Sequence, residues 1–327
     1  MKPFQSMPWH ALIWRQWQQQ IQDQQLPHAL LLTGLAGLGK RTLARALAYF
    51  VLCTNHQGQQ SCGHCRSCHF IEAGFHPDLL ILEPEAEGKA IRVDQVREMT
   101  TQMQKSAQQG GYKVVLIWPA EALNINAANA LLKTLEEPEP LTQFILVSDQ
   151  PSSLPATLRS RCQIWPIAPP SLEQGEAWLK HQLSEEQQPQ VLLKAAGGRP
   201  LAALKLATPE AEERRHLLGQ VMESLVRGVN PIEQAAKLKN LPLPALLNSL
   251  QSWLADSLRF GLLGETSVQD TRQLPLYRQL YQLLGPRSLL NLEQELQAMH
   301  HQLHTNPNVD LFLESLLIRL TQELHHE

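Results

Sequence analysis

Gly34-Leu-Ala-Gly37-Leu-Gly39-Lys40-Arg41-Thr42 has the spacing of a phosphate-binding loop. The apolar run 28–33 precedes it and the helical pattern 43–50 follows it, so it lies between a predicted strand and a predicted helix. In such a loop the glycines let backbone N–H groups surround phosphates, and the lysine reaches the outer ones. These residues therefore predict an α/β domain with a nucleotide-binding ancestry.

Two positions that hydrolysis needs are altered. The residue after Lys40 should offer a hydroxyl to Mg²⁺, but Arg41 brings a positive charge instead. The strand predicted at 114–117 should end in carboxylates, but it runs into Trp118-Pro119. A different strand choice does not restore them, since Asp78 opens its strand rather than ending it. We expect that the loop is kept as a fold element and that this chain neither binds nor hydrolyses ATP. Whether the loop still holds a nucleotide passively is an alternative that the sequence leaves open.

Four of the five cysteines are clustered, and Cys162 stands apart. The cluster has the pattern C-x8-C-x2-C-x2-C and consists of Cys53, Cys62, Cys65 and Cys68. Such spacing in a chain without a secretion signal indicates a metal site rather than disulfides. Four thiolates fill a tetrahedral shell, so we predict a structural zinc without a catalytic role. His64 and His69 are alternative ligands.

Alternating apolar and helical patterns from residue 8 to about 167 predict a parallel sheet covered by helices. Candidate strands are 29–33, 78–82, 113–117, 143–148 and 162–165. Candidate helices are 40–53, 93–108 and 126–137. Beyond a proline-rich hinge, a short helical stretch 168–207 and a longer one 208–327 follow, and leucine spacing at 245–260, 288–304 and 311–325 predicts a helical bundle.

Composition limits the class of protein. A net charge of −3 and a pI near 6.5 do not indicate a global electrostatic grip on nucleic acid. No apolar run reaches the roughly 18 residues of a membrane span, and the N-terminal residues lack an apolar signal core. We therefore expect a cytoplasmic protein without a membrane association.

Two further motifs resemble those of bacterial clamp-loader subunits, a family of AAA+ proteins. They are Asn129-Ala-Leu-Leu-Lys133-Thr-Leu-Glu136-Glu137-Pro138 and Leu154-Pro-Ala-Thr-Leu-Arg-Ser160-Arg161-Cys162. The cysteine insert directly after the loop helix is similar to that family as well. The resemblance spans essentially the whole chain. It implies a RecA-like AAA+ domain at 1–167 with a zinc module at 53–68, a helical lid at 168–207 and an all-α collar at 208–327.

The resemblance also implies roles for single residues. In this family the arginine of the Ser-Arg-Cys motif, here Arg161, points into the ATP site of a neighbouring subunit as an arginine finger. The alternative is an ordinary ion-paired arginine at a strand entrance. A polar sensor position is kept as Ser148. At the position of the family's nucleotide-sensing lid arginine this chain has Leu201, unless Arg199 compensates.

The resemblance implies a non-hydrolysing stator subunit of the replicative clamp loader, which supplies Arg161 in trans. Its expected partners are the gamma/tau motor subunits and the delta subunit, with the sliding clamp and primer-template DNA reached through the complex. Any polymerase label would come from membership of the holoenzyme. Two alternatives remain: an ATP-hydrolysing motor subunit in which Thr42 holds the metal, and a zinc-containing DNA-binding module.

Overall fold

The computed structural model describes residues 6–23, 25–56, 60–86, 88–109, 111–303 and 307–325. Contacts between residues divide the chain into two compact units, Met1–Pro170 and Ser171–Glu327. The first unit is α/β and the second is helical. Among the described residues, no helix combines the length and apolarity needed to cross a membrane.

The first unit is built on a parallel five-stranded sheet with the order β2-β3-β4-β1-β5. The strands are β1 Ala29–Thr33, β2 Leu79–Leu82, β3 Lys113–Ile117, β4 Thr142–Ser148 and β5 Gln163–Pro166. The helices are α1 Ala11–Gln22, α2 Lys40–Leu52, α3 Arg66–Glu72, α4 Val93–Met103, α5 Ile125–Glu136 and α6 Ala156–Arg159. This confirms the predicted parallel sheet covered by helices.

The three central strands are buried along their whole length because helices cover both faces of the sheet. Successive side chains of a strand point to opposite faces, so neighbours on β1 enter different cores. Leu31 packs in the core that contains α4 and α5, whereas Leu30 packs in the core that contains α1 and α2. The carboxyl ends of these strands share one edge, where the phosphate-binding loop begins.

The second unit consists of helices α7 to α14. They are α7 Leu172–Lys180, α8 Pro189–Ala195, α9 Pro200–Leu206, α10 Pro209–Val226, α11 Pro231–Leu238, α12 Leu243–Leu263, α13 Leu274–Gln302 and α14 Val309–Leu324. Helices α7–α9 enclose a small core around Leu179 and Leu193, and α10–α14 enclose a larger leucine-rich core. The proposed division at 168–207 and 208–327 remains a prediction, since the contacts place a boundary only at 170/171.

Several element boundaries differ from the sequence-based prediction. The helix predicted at 93–108 ends at Met103, because the carboxylate of Asp78 accepts the backbone N–H groups of Gln108 (2.7 Å) and Gln109 (2.9 Å) in a separate turn. Because its carboxylate accepts these two N–H groups, Asp78 lies just outside β2, which begins at Leu79. The last strand is shifted by one residue, to Gln163–Pro166.

Two further boundaries differ in the helical unit. The helix predicted at 288–304 forms only the second part of α13. This helix begins at Leu274 and is interrupted at Gly285, whose φ of 66° is not helical, just before Pro286. Helix α12 also extends beyond both ends of the predicted 245–260.

Candidate functional site

The phosphate-binding loop connects β1 to the N-terminus of α2. Gly39 is the residue before α2 and has a φ of 79°, which glycine adopts without strain. Gly34 has a φ of 140°, and a Cβ placed there would lie 2.6 Å from the backbone oxygen of Ile167. The loop therefore passes so close to the chain after β5 that a side chain at Gly34 is excluded.

Gly34→Ala is expected to destabilise the protein by about 1–3 kcal/mol, because it adds both backbone strain and a clash with a carbonyl oxygen. Chemical denaturation followed by circular dichroism measures this free energy of unfolding. Gly111→Ala is the matched control, since nothing lies within 4 Å of its added Cβ. Equal free energies of unfolding for the two variants would contradict the close approach.

Lys40 is turned towards its own loop. Its side chain is only 3% exposed, and its Nζ lies 2.5 Å from Oδ1 of Asp149. The same ammonium donates to the backbone oxygens of Gly34 and Leu35, each at 2.7 Å. An ammonium has three donors, so these three acceptors satisfy it completely.

The position that should hold a metal is filled by a cation stacked on an aromatic ring. The guanidinium of Arg41 lies 4.0 Å from the ring centroid of Trp118, and its Nη2 lies 3.0 Å from Oε2 of Glu83. Trp118 stands at the end of β3, where a carboxylate would be needed. Thr42, the alternative metal ligand, lies half-buried in the first turn of α2.

Hydrogen bonds hold the loop residue Leu38 and the turn after the neighbouring strand β4. Ser148 is fully buried at the end of β4, and its Oγ accepts the N–H of Gln150 at 3.1 Å. On the other side, the carbonyl of Leu38 accepts from Trp9 at 2.9 Å and from Nε2 of His10 at 2.8 Å. Burial lowers the pKa of His10 to about 4, so the ring is neutral. No motif in the sequence marks Trp9 or His10 as functional.

The four clustered cysteines converge in the first unit. Their sulfur atoms all lie within 4.8 Å of one another. The Cys53 and Cys65 sulfurs are 4.0 Å apart, and the Cys62 and Cys68 sulfurs are 3.9 Å apart. Zinc–sulfur bonds of about 2.3 Å in a tetrahedron give sulfur separations of about 3.8 Å. The cluster could therefore hold one metal ion, and its donor set and dimensions fit zinc.

Hydrogen bonds prepare this cluster for a cation. Backbone N–H groups of Cys62, Cys65 and Cys68 donate to the sulfurs of Cys53, Cys62 and Cys65, at 3.2–3.4 Å. Burial opposes ionisation of Cys65, but hydrogen bonds from Thr54 and from the Cys68 N–H lower its pKa to about 5. Burial raises the pKa values of Cys53 and Cys68. Ionising all four thiols together requires the charge of a bound metal.

Cys162 lies outside the cluster and is suited to packing rather than to chemistry. It packs half-buried against the core around α4 and α5. Burial raises the pKa of its thiol to about 12, so it carries no thiolate at neutral pH. Cys162 therefore acts as a small hydrophobic residue.

Arg161 follows α6 and is held in an ion pair with Glu136, the last residue of α5. Its Nε donates to Oε1 of Glu136 at 2.8 Å, and its Nη2 donates to the same oxygen. Its Nη1 donates to the backbone oxygen of Thr157 at 2.8 Å. The Arg161 side chain remains 33% exposed. Glu136 belongs to the other quoted motif, so the structure brings these two sequence motifs into contact.

The two residues considered for the lid sensor, Leu201 and Arg199, lie in the second unit. Arg199 is the residue before α9, and its Nε donates to the backbone oxygen of Ala196 at 2.6 Å. Leu201 lies in the first turn of α9. The assignment of a sensor to either position stays a prediction.

Two family models match this chain. One, described as DNA polymerase III, delta subunit, matches residues 9–171, and its C-terminal counterpart matches residues 209–322. The chain is 36% identical to the DNA polymerase III subunit delta′ of Pseudomonas aeruginosa, over 95% of this chain and 96% of that protein. It is also 36% identical to that of Escherichia coli, over 91% and 90%. A tau subunit from Salmonella typhimurium is 30% identical, over 89% of this chain and 46% of its own length.

The parallel sheet, with its phosphate-binding loop between β1 and α2, places this chain in the class of P-loop α/β proteins. Within that class, delta′ sequences match this chain at 36% identity over nearly its full length, and this match identifies the family. The chain belongs to the delta′ subunit family of DNA polymerase III.

Proposed function

We propose that this chain serves the DNA polymerase III clamp loader as a subunit that does not hydrolyse ATP and that completes the ATP site of a neighbour. The observation that carries the first part is the stack of Arg41 on Trp118, 4.0 Å from guanidinium to ring centroid. Hydrolysis in P-loop proteins needs a hydroxyl and a carboxylate to hold Mg²⁺ at these places. Here the Arg41 guanidinium stands in place of the hydroxyl, and the Trp118 indole ring stands in place of the carboxylate.

The second part of the proposal concerns Arg161. Its guanidinium is one-third exposed and is already engaged by the carboxylate of Glu136. A guanidinium stays charged at any physiological pH and binds phosphate oxygens with the same forked geometry as a carboxylate. A neighbouring subunit's γ-phosphate can therefore take over the donors that Glu136 occupies in the isolated chain. Arg161 would then stabilise the transition state of that neighbour.

The partners follow from the family. A 30% identity to tau subunits over 89% of this chain supports assembly with gamma/tau motors of related architecture. We further propose contact with a delta subunit, and action on the sliding clamp and primer-template DNA through the assembled complex. The chain itself would hold its neighbours in position within the complex and supply one positive charge, that of Arg161.

We also propose that the ion of the cysteine cluster is zinc. Bound zinc would cross-link the end of α2 to the start of α3, since Cys53 follows Leu52 and Cys65 precedes Arg66. Four sulfur ligands leave no position for a substrate, so the role is structural.

Purified chain is expected to show no ATP turnover above background, with or without Mg²⁺ and DNA. A phosphate-release assay measures this. Arg41→Thr should remain inactive, because it restores a hydroxyl but leaves Trp118 in place of the carboxylates. Turnover by the natural chain that disappears in Lys40→Ala would contradict the proposal and favour a motor subunit using Thr42.

A further inference from the structure

The loss of metal ligands does not explain why the loop would refuse a nucleotide, since nucleotides also bind P-loops through backbone N–H groups and the lysine alone. A separate feature of the structure bears on binding. The carboxylate of Asp149 lies 2.5 Å from Nζ of Lys40, and the same ammonium contacts two loop carbonyls. A phosphate oxygen reaching Lys40 must displace one of these three acceptors.

Asp149 is held in this position by its backbone. It follows the last residue of β4 directly, at the edge where the loop begins. Its N–H donates to Oε1 of Glu121 at 2.9 Å, and the next N–H, of Gln150, donates to Oγ of Ser148 at 3.1 Å. The turn after β4 is thus fixed so that the Asp149 side chain faces the lysine.

The local charge disfavours phosphate as well. The carboxylate of Asp149 pairs with Lys40, and a second carboxylate, that of Glu121, lies beside it, since it accepts the backbone N–H of Asp149. The other cation of the loop, Arg41, is paired with Glu83 instead. Oε2 of Glu121 is buried with no hydrogen-bond partner among the described residues. A phosphate with two or more negative charges would enter a site that already has a negative excess.

We propose that Asp149 is the residue that excludes nucleotides from this chain: its carboxylate takes the place of a phosphate oxygen on Lys40. The inference deepens the proposed function of the same site, because it assigns the loss of binding and the loss of hydrolysis to different residues. Arg41 and Trp118 occupy the positions of the metal ligands, whereas the Asp149 carboxylate occupies the position of a phosphate oxygen. A chain without this carboxylate therefore binds a polyphosphate but still does not hydrolyse it.

The test is calorimetric titration of the full chain with ADP and with inorganic pyrophosphate. Asp149→Asn keeps the size of the side chain and removes its charge, and Asp149→Ala removes the group altogether. Both variants are expected to bind each probe at least about tenfold more tightly than the natural chain, a change of about 1.4 kcal/mol in binding free energy. Using two variants guards against a folding defect in one of them, which melting temperature reveals.

Two controls make the result specific. Asp94→Asn removes the same charge from an exposed site on α4 and is expected to gain nothing. Adding Lys40→Met to Asp149→Asn is expected to abolish the gain. The proposal is overturned if both Asp149 variants fold and bind no better than the natural chain, or if Asp94→Asn gains as much. Neither result touches the proposed lack of hydrolysis, which depends on the turnover of the natural chain.

Discussion

A clamp loader reconstituted with the Arg161→Ala chain is expected to assemble normally and to hydrolyse ATP much more slowly at one site. Arginine fingers are worth about 10³–10⁵ in rate for the site that they complete. The DNA- and clamp-stimulated ATPase rate of the loader should therefore fall to the rate that its other ATP sites support. Assembly is expected to survive, because Arg161 is one-third exposed and its contacts with Glu136 and Thr157 lie within its own chain. Steady-state ATPase and gel filtration of the complex measure the two outcomes.

The ion pair provides the decisive control for Arg161. Glu136→Ala breaks the same pair but leaves the guanidinium free, so it is expected to keep or raise the ATPase rate. Arg161→Lys keeps the charge but loses the fork, and it should restore only part of the rate. If Glu136→Ala slows the loader as much as Arg161→Ala does, the pair has only a structural role, and the finger assignment is wrong.

The second large effect is expected at the cysteine cluster. The purified natural chain should contain one equivalent of zinc, and Cys65→Ser should contain none, because three sulfurs and a hydroxyl hold the ion far less tightly. Structural zinc contributes about 10–16 kcal/mol of apparent binding free energy in small zinc peptides. Its loss should therefore unfold the segment between α2 and α3. Metal analysis and limited proteolysis at residues 53–72 test this.

Cys162→Ser is the matched control for the metal site. It makes the same chemical change outside the cluster, and it is expected to keep the full equivalent of zinc and the natural proteolysis pattern. Natural chain purified without chelators and found free of metal would contradict the zinc proposal. So would a Cys65→Ser chain with an unchanged metal content.

Much of the fold follows from local patterns in the sequence. The central strands were predictable because they are continuous apolar runs, which strands buried on both faces require. The end of α4 was not, because it depends on the Asp78 carboxylate capturing two N–H groups about thirty positions away. Likewise, leucine spacing alone does not predict that α13 begins before Gly285 and Pro286.

Part of the candidate site was likewise predictable from the sequence, and part was not. The cysteine cluster and the altered loop were predictable, because short spacings carry the geometry of a metal shell and of a phosphate cradle. The contacts of Lys40 with Asp149 and of Arg161 with Glu136 join residues far apart in the chain. Sequence motifs marked Lys40 and Arg161 but indicated neither of these contacts. Their partners become visible only once the sheet and α5 are in place.

The central claim is that this chain offers Arg161 to the ATP of a neighbour and uses no ATP itself. The most direct measurement is a structure of the assembled loader with a non-hydrolysable ATP analogue and Mg²⁺. We predict a guanidinium nitrogen of Arg161 at about 2.7–3.0 Å from a γ-phosphate oxygen of the adjacent subunit, released from Glu136. An Arg161 still paired with Glu136 beside an occupied neighbouring site, or an analogue with Mg²⁺ in this chain's own loop, would contradict the claim.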